Sequence, residues 1–364
     1  MRRNAQVLST ERPMRGGVVG KEGRWPELVD QFLRQASQGQ ADVKACAAAI
    51  KACGANTQWA RALFLLRSMG GCDLEASVAT FNCAITACGR GGVWKLALAL
   101  LSETGHCGLE PTVVTYSAVV TACEKAAQWE WATQLLEHMQ TSSVEPDTIL
   151  CNSAISACEK AARADKAQGL LREMLRSRIE FDVITYNAAV SACEKGGEWE
   201  QALALLADMA VRRVAPDVIT YNAAAGACGK SGEWKAAVAL LSDCALRGLR
   251  PVVITFNSAI SSCEKGAQWQ PAIALVDAAW AASAACDVVT FSAAVSACEK
   301  TGSWEWALSM TSGARGISAS CANIITVNAA ISACDKKGQW ERALLLLDDA
   351  RSWQLRADKT TFGS

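Results

Sequence analysis

A cysteine recurs along this chain at a fixed interval, and that interval limits the possible fold more than any other feature. Successive members of the series are 35 residues apart, except for a last step of 36. A tryptophan follows six residues after each cysteine, except in the fourth repeat, where Ala164 takes its place. Such self-similarity is typical of a solenoid, in which each repeat packs only against its neighbours. The series is Cys53, Cys88, Cys123, Cys158, Cys193, Cys228, Cys263, Cys298 and Cys334.

One repeat, residues 183–217, consists of two apolar-patterned stretches. In VITYNAAVSACEK the apolar residues fall at helical spacing, and Gly196 and Gly197 then favour a turn. The second stretch begins at Trp199 and stops near Pro216, which cannot continue a helix. The pattern therefore predicts that each repeat consists of a first helix, a turn and a second helix that ends before the next repeat. Nine repeats begin at Val43, Val78, Val113, Thr148, Val183, Val218, Val253, Val288 and Ile324.

The repeat boundaries divide the chain into four segments. Residues 1–22 are predicted to be a targeting or disordered N-terminus, and residues 23–42 a partial repeat or cap. Residues 43–358 contain the nine repeats, and residues 359–364 begin a truncated repeat.

Composition and motifs exclude several classes of function. The 36 basic and 36 acidic residues cancel, which argues against a broad polyanion binder. The chain has no C-x-x-C pair and two histidines, so we expect no metal site and no cofactor. The regular cysteines fit small buried apolar residues and a reducing compartment. No apolar run is long enough to predict a membrane span. The sequence contains no P-loop, G-x-S-x-G or deaminase motif, so we do not expect an enzyme.

A 35-residue helical hairpin with TYN in its first helix and P-D at its end resembles the pentatricopeptide repeat family, P-type class. The resemblance implies an all-α, right-handed α-solenoid superhelix of about nine helix-turn-helix repeats. It also implies binding of single-stranded RNA at one base per repeat. The implied partners are that RNA and RNA-processing or editing factors, with no membrane.

In the family, the fifth and last residues of a repeat select the base. The fifth residues here are Ala47, Asn82, Ser117, Asn152, Asn187, Asn222, Asn257, Ser292 and Asn328. The last residues are Ser77, Thr112, Asp147, Asp182, Asp217, Val252, Asp287, Asn323 and Asp358. The pairing rules of the family then imply a target near 5′-NYGUUYUAU-3′.

The second residue packs against the base in the family, and it is aliphatic in seven repeats. Lys44 and Ala79 depart from this pattern in the first two repeats. The seven are Val114, Ile149, Ile184, Ile219, Ile254, Val289 and Ile325.

A cation near the end of the first helix recurs in eight repeats, and the family places phosphate contact there. An acid beside it is interpreted as a neutralising or stack-bridging partner. The cations are Arg90, Lys125, Lys160, Lys195, Lys230, Lys265, Lys300 and Lys336.

Each set of residues at one position of successive repeats, called a column below, also has a structural explanation. The asparagine amide can bond a base edge, or it can bond the backbone of the next repeat and hold the stack together. The last residues are mostly good helix N-caps, so capping can coexist with base recognition. The tryptophans are expected to be wedges between hairpins, since they lie on the second helix.

The resulting prediction is sequence-specific RNA binding in organellar RNA processing, stabilisation, editing recruitment or translation. The alternative is a protein-binding helical scaffold. Localisation to chloroplast or mitochondrion follows from the family and from Arg2, Arg3, Arg12 and Arg15 near the start.

Overall fold

The structure, a computed structural model, describes residues 25–38, 42–70, 74–284, 286–317, 323–353 and 355. Within these residues the chain forms nineteen α-helices and no strand. The first helices of the repeats are α2 Val43–Ala55, α4 Val78–Arg90, α6 Val113–Lys125, α8 Thr148–Lys160, α10 Val183–Gly196, α12 Val218–Ser231, α14 Val253–Lys265, α16 Val288–Thr301 and α18 Ile324–Asp335. The second helices are α3 Trp59–Gly70, α5 Trp94–His106, α7 Trp129–Thr141, α9 Ala164–Arg176, α11 Trp199–Val211, α13 Trp234–Leu246, α15 Trp269–Ala281, α17 Trp304–Ile317 and α19 Trp340–Ser352. Helix α1, Trp25–Ser37, precedes them. None of these described helices is both long and apolar enough to cross a membrane.

The prediction of an all-α repeat fold is confirmed, and each predicted repeat begins at the first residue of a helix. The N-caps explain these starts. Asp217, for example, accepts the Thr220 backbone N–H at 2.9 Å, which satisfies a donor that the helix leaves unpaired. Three first helices end at a glycine with left-handed backbone, as at Gly197 with φ 75°, a conformation that glycine adopts without strain.

By its contacts the chain divides into two compact bodies, residues 1–122 and 123–364. In the first body, α1 packs on α2, α2 packs on α3 and α4, and α4 packs on α3 and α5. In the second body, the first helices from α8 to α18 contact one another in chain order. Each second helix from α9 to α17 contacts its own first helix and the first helix that follows. The apolar core therefore lies between the first helices and the second helices in each body.

Small residues let neighbouring first helices approach closely. A Cβ atom at Gly54 would lie 3.0 Å from Cβ of Ala87, and one at Gly229 would lie 2.8 Å from the carbonyl oxygen of Ser258. Real Cβ contacts are rarely so short, because protein interiors are already close-packed. The high alanine content of the first helices thus has a structural cause.

The regular cysteines are packing residues, as predicted. All nine have no exposed surface, and all nine are free thiols. Burial disfavours the charged thiolate, and it raises the pKa of Cys88 and Cys298 to about 11 and that of Cys193 to about 12. No group of cysteine, histidine or carboxylate side chains among the described residues could hold a metal ion.

Candidate nucleic-acid interface

The fifth residue of a repeat and its last residue lie side by side. In the fifth repeat, Nδ2 of Asn187 donates to Oδ1 and Oδ2 of Asp217 at 3.2 and 3.1 Å. Oδ1 of Asn187 accepts a hydrogen bond from the Thr220 hydroxyl at 2.5 Å. Because Asp217 caps α12 and Thr220 is the third residue of that helix, the start of one first helix holds a side chain of the preceding one.

The same arrangement recurs in the fourth and seventh repeats. Nδ2 of Asn152 lies 3.2 Å from Oδ1 of Asp182, and Thr185 donates to Oδ1 of Asn152 at 2.6 Å. The corresponding distances for Asn257 are 3.1 Å to Asp287 and 2.6 Å to Thr290. The two predicted columns therefore meet, and the asparagine also links consecutive repeats. The structural alternative had assumed a bond to the backbone of the next repeat. The link is made instead to a threonine side chain of that repeat.

The aspartates of these pairs are held in their charged form. Burial opposes ionisation of Asp217, but hydrogen bonds from the backbone and hydroxyl of Thr220 and from Asn187 outweigh it. The pKa of Asp217 therefore lies below its ordinary value, and the same balance lowers the pKa of Asp182 and Asp287. Each pair keeps an acceptor-only carboxylate beside a fixed amide.

The sixth repeat lacks this carboxylate. Val252 occupies the cap position of α14 and makes no side-chain cap hydrogen bond. Its backbone N–H donates to Oγ1 of Thr255 at 3.3 Å, and Thr255 donates in turn to Oδ1 of Asn222. The amide of Asn222 is thus anchored through its oxygen.

The other members of the two columns are placed less uniformly. Oγ of Ser292 donates to the Val289 carbonyl of its own helix at 3.1 Å, and Oδ1 of Asn82 is buried without a partner among the described residues. Asp147 caps α8, Asn323 caps α18, and the Thr112 backbone N–H donates to Thr115. Ser117 and Asn328 are half-buried on their first helices, and Asp358 lies outside the described residues.

Next to each pair is an exposed aliphatic side chain. The seven second-position residues from Val114 to Ile325 are between 53% and 72% exposed, although each belongs to a well-packed helix. Large apolar residues are rarely left in water in a regular row without a binding role. Ile184 and Asn187 lie one helical turn apart near the start of α10, and Asn187 bonds to Asp217 at the start of α12.

The predicted phosphate-binding cations are not equivalent. Four of them contact an acid of the preceding repeat: Lys160 with Glu124 at 2.9 Å, Lys195 with Glu159 at 3.0 Å, Lys300 with Glu264 at 3.3 Å and Lys336 with Glu299 at 3.5 Å. These pairs support the stack-bridging interpretation of the acids. They also supply a structural reason for the lysine register, which the sequence interpretation had assigned to phosphate alone.

Lys230 and Lys265 make no ion pair with any described residue. Their ammonium groups donate to the backbone carbonyls of Lys195 at 3.3 Å and Lys230 at 2.9 Å. For Lys265 the acid of the preceding repeat is missing, because Gly229 occupies its position. For Lys230 the acid of the preceding repeat is Glu194, which lies over Gly226. A Cβ atom at Gly226 would come within 2.6 Å of Oε1 of Glu194, and burial raises the pKa of this carboxyl.

Trp129 and Trp234 lie between consecutive hairpins, as predicted for the series, whereas Trp340 in the last repeat is 65% exposed. A Cβ atom at Gly266 would lie 3.1 Å from Cδ1 of Trp234, so the indole packs on the turn of the next repeat. The Arg163 guanidinium, also from the next repeat, lies 4.5 Å from the ring centre of Trp129. These contacts assign the indoles to the inter-repeat seam and not to base stacking.

The threonines at the third position were not singled out from the sequence. Thr185, Thr220, Thr255 and Thr290 are almost fully buried, and each donates to the asparagine of the preceding repeat. A signal was present, because threonine recurs at this register in most repeats. The fourth repeat has Leu150 there, and it follows a repeat that carries Ser117 in place of asparagine.

The fold and this periodic surface define a helical-hairpin repeat protein with an exposed aliphatic residue in seven repeats and a hydrogen-bonded polar pair in the fourth, fifth and seventh. Comparison with known families agrees. The model of the pentatricopeptide repeat domain matches residues 64–126 and 169–231, and the model of the PPR repeat matches residues 114–144, 149–179 and 219–249. Together these matches cover half of the chain. The chain belongs to the pentatricopeptide repeat family.

Solved structures of the family share its fold. The pentatricopeptide repeat protein PPR10 from maize matches with a TM-score of 0.55 at 19% identity, over 99% of this chain and 65% of that one. PPR10 in complex with an 18-nt psaJ RNA element matches with a TM-score of 0.50 at 20% identity, over 93% and 58%. This chain thus spans about three fifths of the length of these relatives. No curated protein sequence matches it.

Proposed function

We propose that this protein binds single-stranded RNA and recognises one base with each repeat. One observation carries the proposal: the fifth and last residues of a repeat are hydrogen-bonded to each other beside an exposed aliphatic residue. This set is repeated, with Asn152, Asn187 and Asn257 as its asparagines. A repeated polar pair with a 35-residue period suits a polymer whose units also repeat, and nucleotides offer a base edge and a base face at every step.

The exposed aliphatic residues supply affinity without sequence preference. A base face stacked on Ile184 or Ile219 removes apolar surface from water, which contributes about 25 cal/mol per Å². The amide and carboxylate beside them supply the sequence preference, since they present donors and acceptors to the base edge. The similarity to PPR10, which was solved in complex with an 18-nt psaJ RNA element, supports RNA binding in general.

The base preference is tested with two short oligonucleotides. The protein is expected to bind 5′-NYGUUYUAU-3′ more tightly than the same sequence with its G and A exchanged, because Ser117 with Asp147 and Ser292 with Asn323 specify these bases. Binding is measured by gel shift at fixed ionic strength. Equal affinities for the two oligonucleotides would refute base recognition by these columns.

In the cell, such a protein acts by occupying its target. The bound segment is shielded from nucleases and from base pairing, or it positions a processing or editing factor. The site of action is the chloroplast or the mitochondrion. A fluorescent protein fused to the C-terminus should co-localise with one of these organelles and lose that localisation when residues 1–22 are deleted. A diffuse signal from the intact fusion would contradict organellar action.

A protein-binding scaffold is the second candidate, and one observation favours it. Val211 and Leu246, at the C-terminal ends of consecutive second helices, are 81% and 86% exposed. A scaffold would bind its partner through this apolar edge and bind RNA weakly, with little dependence on salt. Substituting both residues by serine should leave RNA affinity unchanged if RNA is the ligand.

A further inference from the structure

A short series of hydrogen bonds sets the orientation of the base-recognition amide. In the fifth repeat, the Asp217 backbone N–H donates to Oγ1 of Thr220 at 3.2 Å, so this oxygen accepts while its single proton remains free to donate. The hydroxyl lies 2.5 Å from Oδ1 of Asn187 and 2.9 Å from Oδ1 of Asp217. The carboxylate can only accept, and it therefore draws Nδ2 of Asn187 toward itself and leaves Oδ1 to Thr220. Aspartate and threonine thus favour the same amide orientation.

The sixth repeat separates these two influences. Val252 supplies no carboxylate, and the Thr255 hydroxyl is fully buried. Thr255 accepts the Val252 backbone N–H at 3.3 Å, and Oδ1 of Asn222 accepts its proton. If the amide rotated to turn Nδ2 toward Thr255, the buried hydroxyl proton would lose this acceptor, which is unfavourable. Thr255 therefore fixes the amide without help from the last residue of the repeat.

We propose that the third-position threonine of the fifth to eighth repeats is a positioning residue for the base-recognition asparagine of the preceding repeat, and that Thr255 alone performs this role for Asn222. The inference rests on the proposed RNA binding. It extends that function by making the recognition of one base depend on the next repeat along the chain.

The fixed orientation determines what the base meets. With Oδ1 bound to Thr255, Asn222 presents the two N–H groups of Nδ2, which suit a carbonyl oxygen or an unprotonated ring nitrogen on the base. Asn187 uses N–H on Asp217 and presents fewer free donors. Without the threonine hydroxyl, Asn222 would be free to present either its oxygen or its nitrogen, and discrimination between acceptor and donor base edges would fall.

The test measures base selectivity at the sixth nucleotide. The four oligonucleotides 5′-AUGUUXUAU-3′ are titrated against the unmodified protein and against Thr255→Val. We expect the ratio between best and worst base to fall by roughly tenfold, the selectivity that one oriented hydrogen bond provides. Thr255→Ser keeps the hydroxyl and should restore the ratio. Thr220→Val is the matched control, because Asp217 still orients Asn187, and selectivity at the fifth nucleotide should change much less.

The outcomes separate the inference from the proposed function. Selective binding by the unmodified protein with an unchanged ratio in Thr255→Val would overturn the positioning role alone. A loss in Thr255→Val that serine does not restore would also overturn it, since the hydroxyl would then not be responsible. Absence of RNA binding by the unmodified protein would overturn the proposed function and this inference with it.

A second measurement needs no RNA. The side-chain amide of Asn222 should be rigid in NMR relaxation of the unmodified protein, mobile in Thr255→Val and rigid again in Thr255→Ser. Circular dichroism of each variant checks that the repeats stay folded. Equal mobility in the unmodified protein and in Thr255→Val would refute the role of Thr255.

Discussion

The unequal surroundings of the lysine row lead to a prediction about salt dependence. Lys160 and Lys195 each contact a glutamate within 3.0 Å, whereas the ammonium groups of Lys230 and Lys265 donate to backbone carbonyls and form no ion pair with a described residue. We therefore expect Lys230 and Lys265 to make the larger electrostatic contribution to RNA binding. The two perturbations to compare are the double variants Lys230→Ala with Lys265→Ala and Lys160→Ala with Lys195→Ala.

The size of the effect follows from counterion release. Each phosphate neutralised on a single strand contributes about 0.7 to the slope of log affinity against log salt concentration. Removing two such contacts should lower the slope by about 1.4, which corresponds to roughly a sevenfold smaller loss of affinity between 50 and 200 mM salt. A phosphate that displaces a glutamate from Lys160 or Lys195 exchanges one anion for another. The slope should therefore change in the variant Lys160→Ala with Lys195→Ala by no more than about 0.7, half of the change expected for Lys230→Ala with Lys265→Ala.

Fluorescence anisotropy with a labelled 5′-AUGUUUUAU-3′ oligonucleotide, repeated over a range of KCl concentrations, measures these slopes. Thermal unfolding of both variants serves as the control for folding, and the paired-lysine variant is expected to lose a little stability because it removes the lysine partners of Glu124 and Glu159. Equal slope changes in the two double variants would refute the argument that an ion pair within the stack lowers the contribution of a lysine.

Three further predictions concern stability and reactivity. Gly229→Ala should lower the free energy of unfolding by roughly 1–2 kcal/mol, because the added Cβ atom would meet the Ser258 carbonyl. Gly169→Ala has open space around the added Cβ atom and should raise the free energy of unfolding by up to about 1 kcal/mol. Both values are measured by urea unfolding. Burial raises the pKa of the regular cysteines, so iodoacetamide at pH 8 should label exposed Cys107 and leave Cys193 unmodified until urea is added. Rapid labelling of Cys193 in the folded protein would contradict its burial. The lowered pKa of Asp217 and its equivalents means that their stabilising effect is complete above the unfolded carboxyl pKa of about 3.9 and is lost as pH falls through the lower folded value. Unfolding midpoints measured from pH 5 to pH 2 should therefore fall more steeply for this protein than for a variant with asparagine at positions 182, 217 and 287.

The fold was largely predictable because its elements are local. Helix starts depend on a cap residue and the three residues after it, so Asp182 and Asp217 determine where α10 and α12 begin. Turns depend on residues such as Gly197, and the stops depend on proline. Each of these signals lies within a few residues of the feature that it controls, and several of them recur from repeat to repeat.

The candidate site was predictable only in part. The columns through Asn187 and Asp217 were visible as a period, but their hydrogen bond joins residues 30 positions apart. The role of Thr220 was missed because its partner is 33 positions back in the preceding repeat. The lysine row looked uniform, yet Lys195 has an ion pair and Lys230 has none among the described residues.

The sequence by itself determined the period, the helix boundaries and the residue types that recur at each register, since these follow from backbone preferences and apolar spacing over short distances. Only the tertiary structure decided which polar groups are already engaged. Stacking brings the start of one first helix against the side chains of the preceding one, so that Thr255 reaches Asn222 and Glu159 reaches Lys195. Whether a side chain is available to a ligand depends on the partners that this stacking supplies, and these lie about one repeat away in the chain.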